Sequence, residues 1–316
     1  MKENSTRLLC ILGPTAAGKT AFAAHMAHRL DGEVISADSR QVYRGMDIGT
    51  GKDYEDYMVD GEQLTVHLMD ILDAGEEYNV YLFKQDFIRA LADISEREKL
   101  PVLCGGSGLY IESVLKNYRL LQVPPDKVLR AELEEKDLVE LEGRLKSYGP
   151  LHNKTDTTSK KRIIRAIEIA RFQSAEEAAP AAEVFLDSII IGVHLERSVR
   201  RARITSRLKR RLDEGMVEEV EALMDAGVSP EMLDYYGLEY RFISRYLLKE
   251  MNYDEMVERL NTAIHQFSKR QMTYFRGMER RGAYIHWIDG AKPLEKMCTE
   301  ALKICRANGI ARADPE

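Results

Sequence analysis

Residues 13–20 are the stretch whose residue types and spacing most directly specify chemistry. They read GPTAAGKT and fit the pattern G-x-x-x-x-G-K-[ST], in which glycines allow a tight loop to point backbone N–H groups at phosphate oxygens. Lys19 would place a positive charge against the outer phosphate, and the Thr20 hydroxyl would hold Mg²⁺. The pattern predicts a phosphate or diphosphate site formed by Gly13, Thr15, Ala16, Ala17, Gly18, Lys19 and Thr20.

A candidate proton acceptor follows the next apolar run. Residues 34–37 predict a strand that ends at Asp38, with Ser39, Arg40 and Gln41 beyond it. Because ligands of open α/β sheets bind at the carboxyl ends of the strands, we expect Asp38 to face the bound phosphate. The competing interpretation is an aspartate that caps a helix or a turn.

Glycines follow a third apolar run, residues 100–104. They occupy positions 105, 106 and 108, with Ser107 between them. Glycines at the end of a strand permit a close approach of backbone to ligand. We therefore expect this turn to border the same site.

Apolar runs that alternate with amphipathic stretches predict the elements that position these residues. The predicted strands are 8–12, 34–37, 64–71, 100–104, 188–193 and 284–288, and the predicted helices beside them are 20–30, 80–97 and 109–116. This alternation predicts an α/β fold with a doubly wound parallel sheet like that of P-loop NTPases. A charged helical pattern, followed by a linker at 174–183, predicts a helical insertion domain at 124–183 that divides the core into residues 1–123 and 184–316.

The composition is that of a soluble globular protein. The chain has 316 residues, of which 44% are hydrophobic and 31% are charged, and a formal net charge of −6. This charge argues against a protein that coats polyanions non-specifically. No apolar run approaches the ~18 residues of a membrane span, so we expect a cytoplasmic protein, a monomer, with no membrane partner. Four cysteines without a C-x-x-C pair predict free thiols.

Any contact with nucleic acid must come from local basic patches. Residues 197–211 carry eight basic and no acidic side chains, residues 159–165 read SKKRIIR, and residues 268–276 read SKRQMTYFR. Basic runs on helices are usually solvated faces. The third stretch interleaves its cations with Tyr274 and Phe275, as stacking on unpaired bases requires.

The wider pattern resembles that of bacterial tRNA dimethylallyltransferases. The segments that carry the resemblance are, in chain order, GPTAAGKT, ISADSRQVYRGMDIGTGK, LPVLCGGSGLYIESVL, KRIIRAIEI, RARITSRL with EGMVEEV, and SKRQMTYFR. The resemblance implies that a dimethylallyl group is transferred from dimethylallyl diphosphate to the exocyclic amine of the adenosine just 3′ of a tRNA anticodon. Mg²⁺ is the implied cofactor.

The resemblance also implies roles for individual residues. Asp38 would accept the proton of the amine, Thr20 would bind Mg²⁺, and Arg207 would contact the diphosphate, so these three are the expected catalytic residues. Negative charge that builds on the departing diphosphate would be stabilised by the loop. The residues expected at the tRNA anticodon stem-loop are Asp38, Ser39, Arg40, Gln41, Ser107, Lys161, Arg162, Arg165, Lys269 and Arg270.

Two other functions share this phosphate loop. An enzyme that prenylates free AMP or ATP is the closer alternative, and a small-molecule kinase is the more distant one, since it uses the same lysine, hydroxyl and acidic strand end. The basic insertion favours tRNA. Departures from the family's usual pattern, such as Ser107 for threonine in G-G-T-G, gather where tRNA would be read.

Overall fold

The computed structural model describes residues 5–149, 159–175 and 185–310. The chain divides into two units, Arg119–Glu183 and the remainder, Met1–Tyr118 with Val184–Glu316. No helix in these described ranges is long and apolar enough to cross a membrane. The two units are described in turn.

Eight strands and twelve helices form the described structure. The strands are β1 (Thr6–Leu12), β2 (Gly32–Ser36), β3 (Met58–Val59), β4 (Glu62–Gln63), β5 (Val66–His67), β6 (Leu100–Gly105), β7 (Leu186–His194) and β8 (Ile285–Asp289). The helices are α1 (Lys19–Arg29), α2 (Val80–Glu96), α3 (Gly108–Leu115), α4 (Lys127–Glu134), α5 (Leu138–Ser147), α6 (Lys160–Ala175), α7 (Arg197–Asp213), α8 (Met216–Asp225), α9 (Pro230–Tyr236), α10 (Leu238–Leu247), α11 (Tyr253–Arg280) and α12 (Leu294–Ala307).

Six of the strands form one sheet in the order β5-β2-β6-β1-β7-β8. Every pairing in this sheet is parallel, so all strands present their carboxyl ends at one edge. β1 lies between β6 and β7, which places the loop after β1 in the middle of that edge. The structure confirms the predicted parallel sheet, and β8 is the edge strand expected from the last apolar run.

Both faces of the sheet are buried, as the continuous apolar runs predict. Along β1, Leu8 and Cys10 pack on one face with α2, α3 and α11. Leu9 and Ile11 pack on the other face with α1 and α12. Helices cover both sides, so the fold is doubly wound. All four cysteines are free and buried, as predicted.

The predicted strand at 64–71 is wrong for most of its length. Only Val66–His67 pairs with β2, because the backbone of Leu68 and Asp70 turns into the left-handed region, with φ of 61° and 54°. The chain then runs beside the loop that follows β2, where Asp70 forms an ion pair with Lys52.

The unit Arg119–Glu183 contains α4, α5 and α6 around a small apolar core that includes Leu129, Leu141 and Ile163. Glu168, on α6, is buried, and its Oε1 forms an ion pair with the Nε of Arg130 at 2.7 Å. Burial opposes ionisation, but this ion pair and a second one with Arg165 lower the pKa of Glu168. The predicted linker at 174–183 begins inside α6, and its residues after Ala175 lie outside the described part of the chain.

Candidate active site

The loop at residues 13–20 joins β1 to α1. A Cβ at Gly13 would lie 2.9 Å from the carbonyl oxygen of Val193 in β7, so only glycine allows the loop to pass this strand. Gly18 precedes α1 with a φ of 82°, a conformation that costs other residues energy. The loop ends at the amino terminus of α1, whose unpaired N–H groups and dipole favour an anion.

Basic side chains crowd this loop. Arg207, from α7, donates to the Thr15 hydroxyl. Burial lowers the pKa of Arg207 to about 10, and the charge of Arg211 adds to the effect. Burial also lowers the pKa of Lys19, with the charges of Arg207 and Arg211 acting in the same direction and that of Asp38 against it. Mutual repulsion among cations is relieved by a bound anion, so this arrangement suits a diphosphate.

Two further arginines of α7 border the loop. Arg211 is 5% exposed and pairs with Asp53 at 3.3 Å. Arg203 donates to the carbonyl oxygen of Gly290 at 3.4 Å. Sequence reasoning counted Arg211 only as part of a basic run. Its four-residue spacing from Arg207, which places both on one helix face, was the available signal.

Asp38 lies two residues beyond β2, at the same sheet edge. Its Oδ1 accepts a hydrogen bond from the backbone N–H of Arg40 at 2.9 Å, so Asp38 does form the turn that the competing interpretation required. The same carboxylate interacts electrostatically with Lys19. Within the described ranges, no second hydrogen-bond donor is recorded at this carboxylate, which leaves it able to accept a proton.

The glycine turn after β6 borders the same edge. A Cβ at Gly105 would lie 2.4 Å from the carbonyl oxygen of Ala37, which brings the ends of β6 and β2 together. The Ser107 hydroxyl accepts from the backbone N–H of Ser39 at 3.3 Å. Arg40 lies over the ring of Tyr235, at 4.7 Å. The structure thus brings Asp38, Ser39, Arg40 and Ser107 to one place.

Gln271 is the site residue that sequence reasoning missed. Its Oε1 accepts from the backbone N–H of Thr15 at 2.8 Å, and its Nε2 donates to the carbonyl oxygen of Gly106 at 3.0 Å. In this structure Gln271 therefore occupies the Thr15 amide, and the contact of that amide with the diphosphate stays a prediction. α11 thereby ties the phosphate loop to the glycine turn. The only signal was its position inside SKRQMTYFR, a stretch predicted to bind RNA.

Two predicted RNA contacts also have hydrogen-bond partners within the protein. Gln41 is buried; its Oε1 accepts a hydrogen bond from Ser36 at 3.0 Å, and its Nε2 donates to the carbonyl oxygen of Gly51 at 3.0 Å, so it supports the loop at 44–53. Arg165 donates to Glu168 at 3.0 Å and to the carbonyl oxygen of Val123 at 2.8 Å. The contacts of both residues with RNA stay predictions.

The predicted base-stacking role of the aromatic residues in α11 is wrong. Phe275 is fully buried in the core. Tyr274 donates its hydroxyl to Glu112 at 2.7 Å, and its ring fills the space that a side chain at Gly108 would need. Both rings therefore stabilise the packing of α11 on α3.

The remaining predicted RNA contacts are exposed cations on two helices. Lys161 and Arg162 lie in the first turn of α6, and Lys269 and Arg270 lie near the middle of α11. Arg270 stands over Phe267 at 5.9 Å. Nothing in these contacts assigns a ligand, and their role in RNA binding stays a prediction.

The residues present suit a Mg²⁺ ion that is held mainly by its diphosphate. Thr20 lies in the first turn of α1, beside the loop, and Asp38 offers oxygen at the same edge. Within the described ranges, no group of three or more acidic, histidine or cysteine side chains could hold a metal alone. Mg²⁺ commonly binds one or two protein oxygens together with substrate phosphates.

Comparison with known proteins gives concordant matches. The sequence model of the IPP transferase family matches residues 41–278. The tRNA dimethylallyltransferase 1 of Parabacteroides distasonis is 54% identical over 302 residues, which cover 95% of this chain and 98% of the relative. The tRNA dimethylallyltransferase 2 of Bacteroides fragilis is 55% identical over 289 residues, which cover 92% and 94%.

Solved structures match along nearly the whole chain. The full-length tRNA isopentenylpyrophosphate transferase of Bacillus halodurans superposes with a TM-score of 0.71 at 31% identity, covering 96% of this chain and 97% of that one. A eukaryotic dimethylallyltransferase described as acting on tRNA has a TM-score of 0.75 at 22% identity, covering 96% and 78%. This second match concerns the fold.

Proposed function

The chain belongs to the IPP transferase family, and from this membership we propose that it transfers a dimethylallyl group from dimethylallyl diphosphate to the exocyclic amine of the adenosine 3′ of a tRNA anticodon. One observation carries the proposal: an anion-binding loop, buried cations and a carboxylate lie together at one edge of the sheet. Relatives about 54% identical to the chain are named tRNA dimethylallyltransferases, which favours tRNA over free adenylates or a kinase substrate.

The proposed step is a substitution at the first carbon of the dimethylallyl group. The adenine nitrogen forms a bond to this carbon, and the bond between the carbon and the diphosphate oxygen breaks with its electron pair leaving on the diphosphate. The nitrogen loses a proton, which Asp38 accepts. A positioned general base typically contributes 10²- to 10⁴-fold to a rate.

The cations around the phosphate loop act on the leaving group. Lys19 and Arg207 are proposed to contact the diphosphate where negative charge accumulates, which would bind the transition state more strongly than the ground state. Gln271 and Thr15 hold this arrangement, the first through the loop backbone and the second through Arg207. Mg²⁺ bound at Thr20 would supply further positive charge to the diphosphate.

The target adenine must leave the anticodon loop to reach this edge, as enzymes that modify bases require. Asp38, Ser39, Arg40 and Ser107 are proposed to receive it, and Lys161, Arg162, Lys269 and Arg270 are proposed to contact the RNA backbone. The protein is further proposed to be a monomer. Size-exclusion chromatography with light scattering measures that mass directly.

Transfer of label distinguishes the candidate functions. Purified protein is incubated with Mg²⁺ and dimethylallyl diphosphate labelled in the dimethylallyl group, together with tRNA, AMP or ATP. We expect label on tRNA alone. Label on AMP or ATP would select the adenylate prenyltransferase, and phosphate transfer from ATP would select a kinase.

The role of Asp38 is tested by Asp38→Asn, which keeps the size of the side chain and its turn acceptor. We expect diphosphate affinity to stay within about threefold, while single-turnover transfer falls by about 10²-fold or more. Asp60→Asn, at an exposed turn, is the matched control and should transfer normally. Near-normal transfer by Asp38→Asn would remove the general-base assignment.

A further inference from the structure

A second basic site lies beside the phosphate loop, between α7 and α11 at the carboxyl end of β7. It is a cavity of about 530 Å³, within the range of small-molecule sites. Five cationic side chains line it, and no acidic residue appears among its described lining residues. These cations are Arg197, Arg200, Arg201, Lys269 and Arg276.

The protein offsets the charge of this cavity only in part, through the electrostatic interaction of Glu196 with Arg200. Among the described residues, none of the five cations forms an ion pair or a side-chain hydrogen bond. The nearby carboxylate of Glu196 instead caps α7, accepting from the backbone N–H of Ser198 at 2.6 Å. Burial lowers the pKa of Arg200, and repulsion from Arg276 and Arg197 adds to the effect. Such crowding is relieved when an anion binds.

Buried polar atoms provide a second, independent indication of a ligand. Ser268 lines the cavity, is 1% exposed, and its hydroxyl has no hydrogen-bond partner among the described residues. The Nδ1 atom of His265, another lining residue, is likewise buried and without a described partner. Buried polar groups are rarely left unpaired, because each lost hydrogen bond costs free energy. A ligand that accepts a hydrogen bond inside the cavity would satisfy the Ser268 hydroxyl, whereas the His265 Nδ1 requires a donor, because the Nε2 of this ring already faces the Thr205 hydroxyl.

The floor of the cavity is apolar. Leu195, Ile204 and Met272 line it and are almost fully buried. A single inorganic anion would contact the cations but leave this surface uncovered. A backbone phosphate of RNA would reach the exposed cations, whereas a small molecule is better able to enter and meet the buried Ser268 hydroxyl.

From these features we propose that the cavity binds the diphosphate group of a small molecule that also carries an apolar or aromatic part. This site is separate from the phosphate loop, whose cations are Lys19 and Arg207. The two sites share their supporting helices. Ser268 lies three residues before Gln271 on α11, and Arg200 lies seven residues before Arg207 on α7. A ligand in the cavity would therefore contact the same helices that hold the loop.

The test counts diphosphate sites in the full chain. Equilibrium dialysis with radiolabelled inorganic diphosphate, in Mg²⁺ at fixed ionic strength, is applied to the wild type, Lys19→Ala, and the double variant Arg200→Gln/Lys269→Gln. We expect two equivalents on the wild type and one on each variant. Arg270→Gln, which changes the neighbouring exposed arginine outside the cavity lining, should retain two.

Affinity for the second site should fall at least tenfold for each cation removed, since hydrogen bonds to charged groups are the strong ones. ADP and dimethylallyl diphosphate are then compared with inorganic diphosphate in Lys19→Ala, where only the cavity binds. Tighter binding of ADP indicates a nucleotide ligand, and tighter binding of dimethylallyl diphosphate indicates an isoprenoid one.

A wild type that binds one equivalent, lost only in Lys19→Ala, overturns the proposal. So does a second equivalent that persists in Arg200→Gln/Lys269→Gln. If Arg200→Gln alone instead weakens binding of an anticodon stem-loop while the wild type holds one diphosphate, the cavity is an RNA contact and the proposal is wrong. Transfer activity does not enter these measurements, so the outcome is independent of the proposed reaction.

Discussion

Replacing Gln271 by glutamate should impair use of the diphosphate donor with little change in the size of the side chain. The wild-type side chain accepts from Thr15 and donates to the carbonyl oxygen of Gly106, across 256 and 165 residues of sequence. In Gln271→Glu the bond from Thr15 is kept. The donation to Gly106 is lost, and a negative charge is introduced next to a loop that binds an anion.

Two contributions set the expected size of the effect. A carbonyl oxygen left facing a carboxylate costs about 1–3 kcal/mol of folding free energy. For an assumed separation of about 7 Å between the new carboxylate and one charge of a bound diphosphate, repulsion costs about 2 kcal/mol of binding free energy at an effective dielectric constant of about 20. The second contribution corresponds to about a 30-fold loss of kcat/KM for dimethylallyl diphosphate.

The assay is steady-state prenyl transfer with the donor varied at saturating tRNA, together with thermal unfolding. Gln63→Glu adds the same charge at an exposed position on β4 and should leave both readouts unchanged. Gln271→Met removes both hydrogen bonds without adding charge, so it should lower stability more and donor affinity less. Donor kinetics in Gln271→Glu that match those of Gln63→Glu would refute the charge argument.

Further predictions rest on single contacts. Gly106→Ala places a Cβ 2.5 Å from the Gln271 amide nitrogen, so it should lower kcat/KM for the donor. Gly143 lies at an exposed position of α5 with open space around it, so Gly143→Ala should raise the free energy of unfolding by about 0.5–1 kcal/mol in a denaturant titration. Arg207→Ala should lower kcat about 100-fold at saturating donor. Diphosphate affinity, measured calorimetrically, should fall up to tenfold per pH unit above pH 10, because the pKa of Arg207 is about 10. Lys161→Glu should weaken tRNA binding and flatten its salt dependence in filter binding.

As the pH rises above about 10, the contribution of Arg207 to protein stability and its contribution to diphosphate binding change in opposite directions. Folding lowers its pKa from the ordinary value of an arginine to about 10. Between these pH values the unfolded chain therefore binds more protons than the folded chain. The contribution of Arg207 to stability rises with pH in that window, while its contribution to diphosphate binding is lost.

The sheet and the phosphate loop could be predicted because their signals are local. A buried strand shows as an apolar run, and the loop's conformational demands show as glycines at fixed spacing. The 64–71 prediction failed because the apolar pattern continues past His67 while the backbone turns at Leu68 and Asp70. Local hydrophobicity reports burial, and it does not report where a strand loses its pairing partner.

The hydrogen bonds of Gln271, Gln41 and Arg165 could not be predicted from the sequence. Each residue bonds to backbone groups that are distant in the chain or in another element, and composition and spacing do not reveal such contacts. Tyr274 and Phe275 failed for a related reason, since interleaved aromatic and basic residues also describe an amphipathic helix that packs its rings inward.

The basic run at 197–211 shows that the cations of one helix can line functional surfaces as well as a solvated face. Arg203, Arg207 and Arg211 recur every four residues, so they form one stripe on α7, and this stripe faces the phosphate loop and its neighbours. Arg197 and Arg200 line the cavity instead. In a chain of net charge −6, repulsion among these cations is tolerated because two separate concave surfaces can accept anions. Reversing the charges of the stripe should then leave anion binding in the cavity largely intact, and reversing those of Arg197 and Arg200 should leave anion binding at the phosphate loop largely intact.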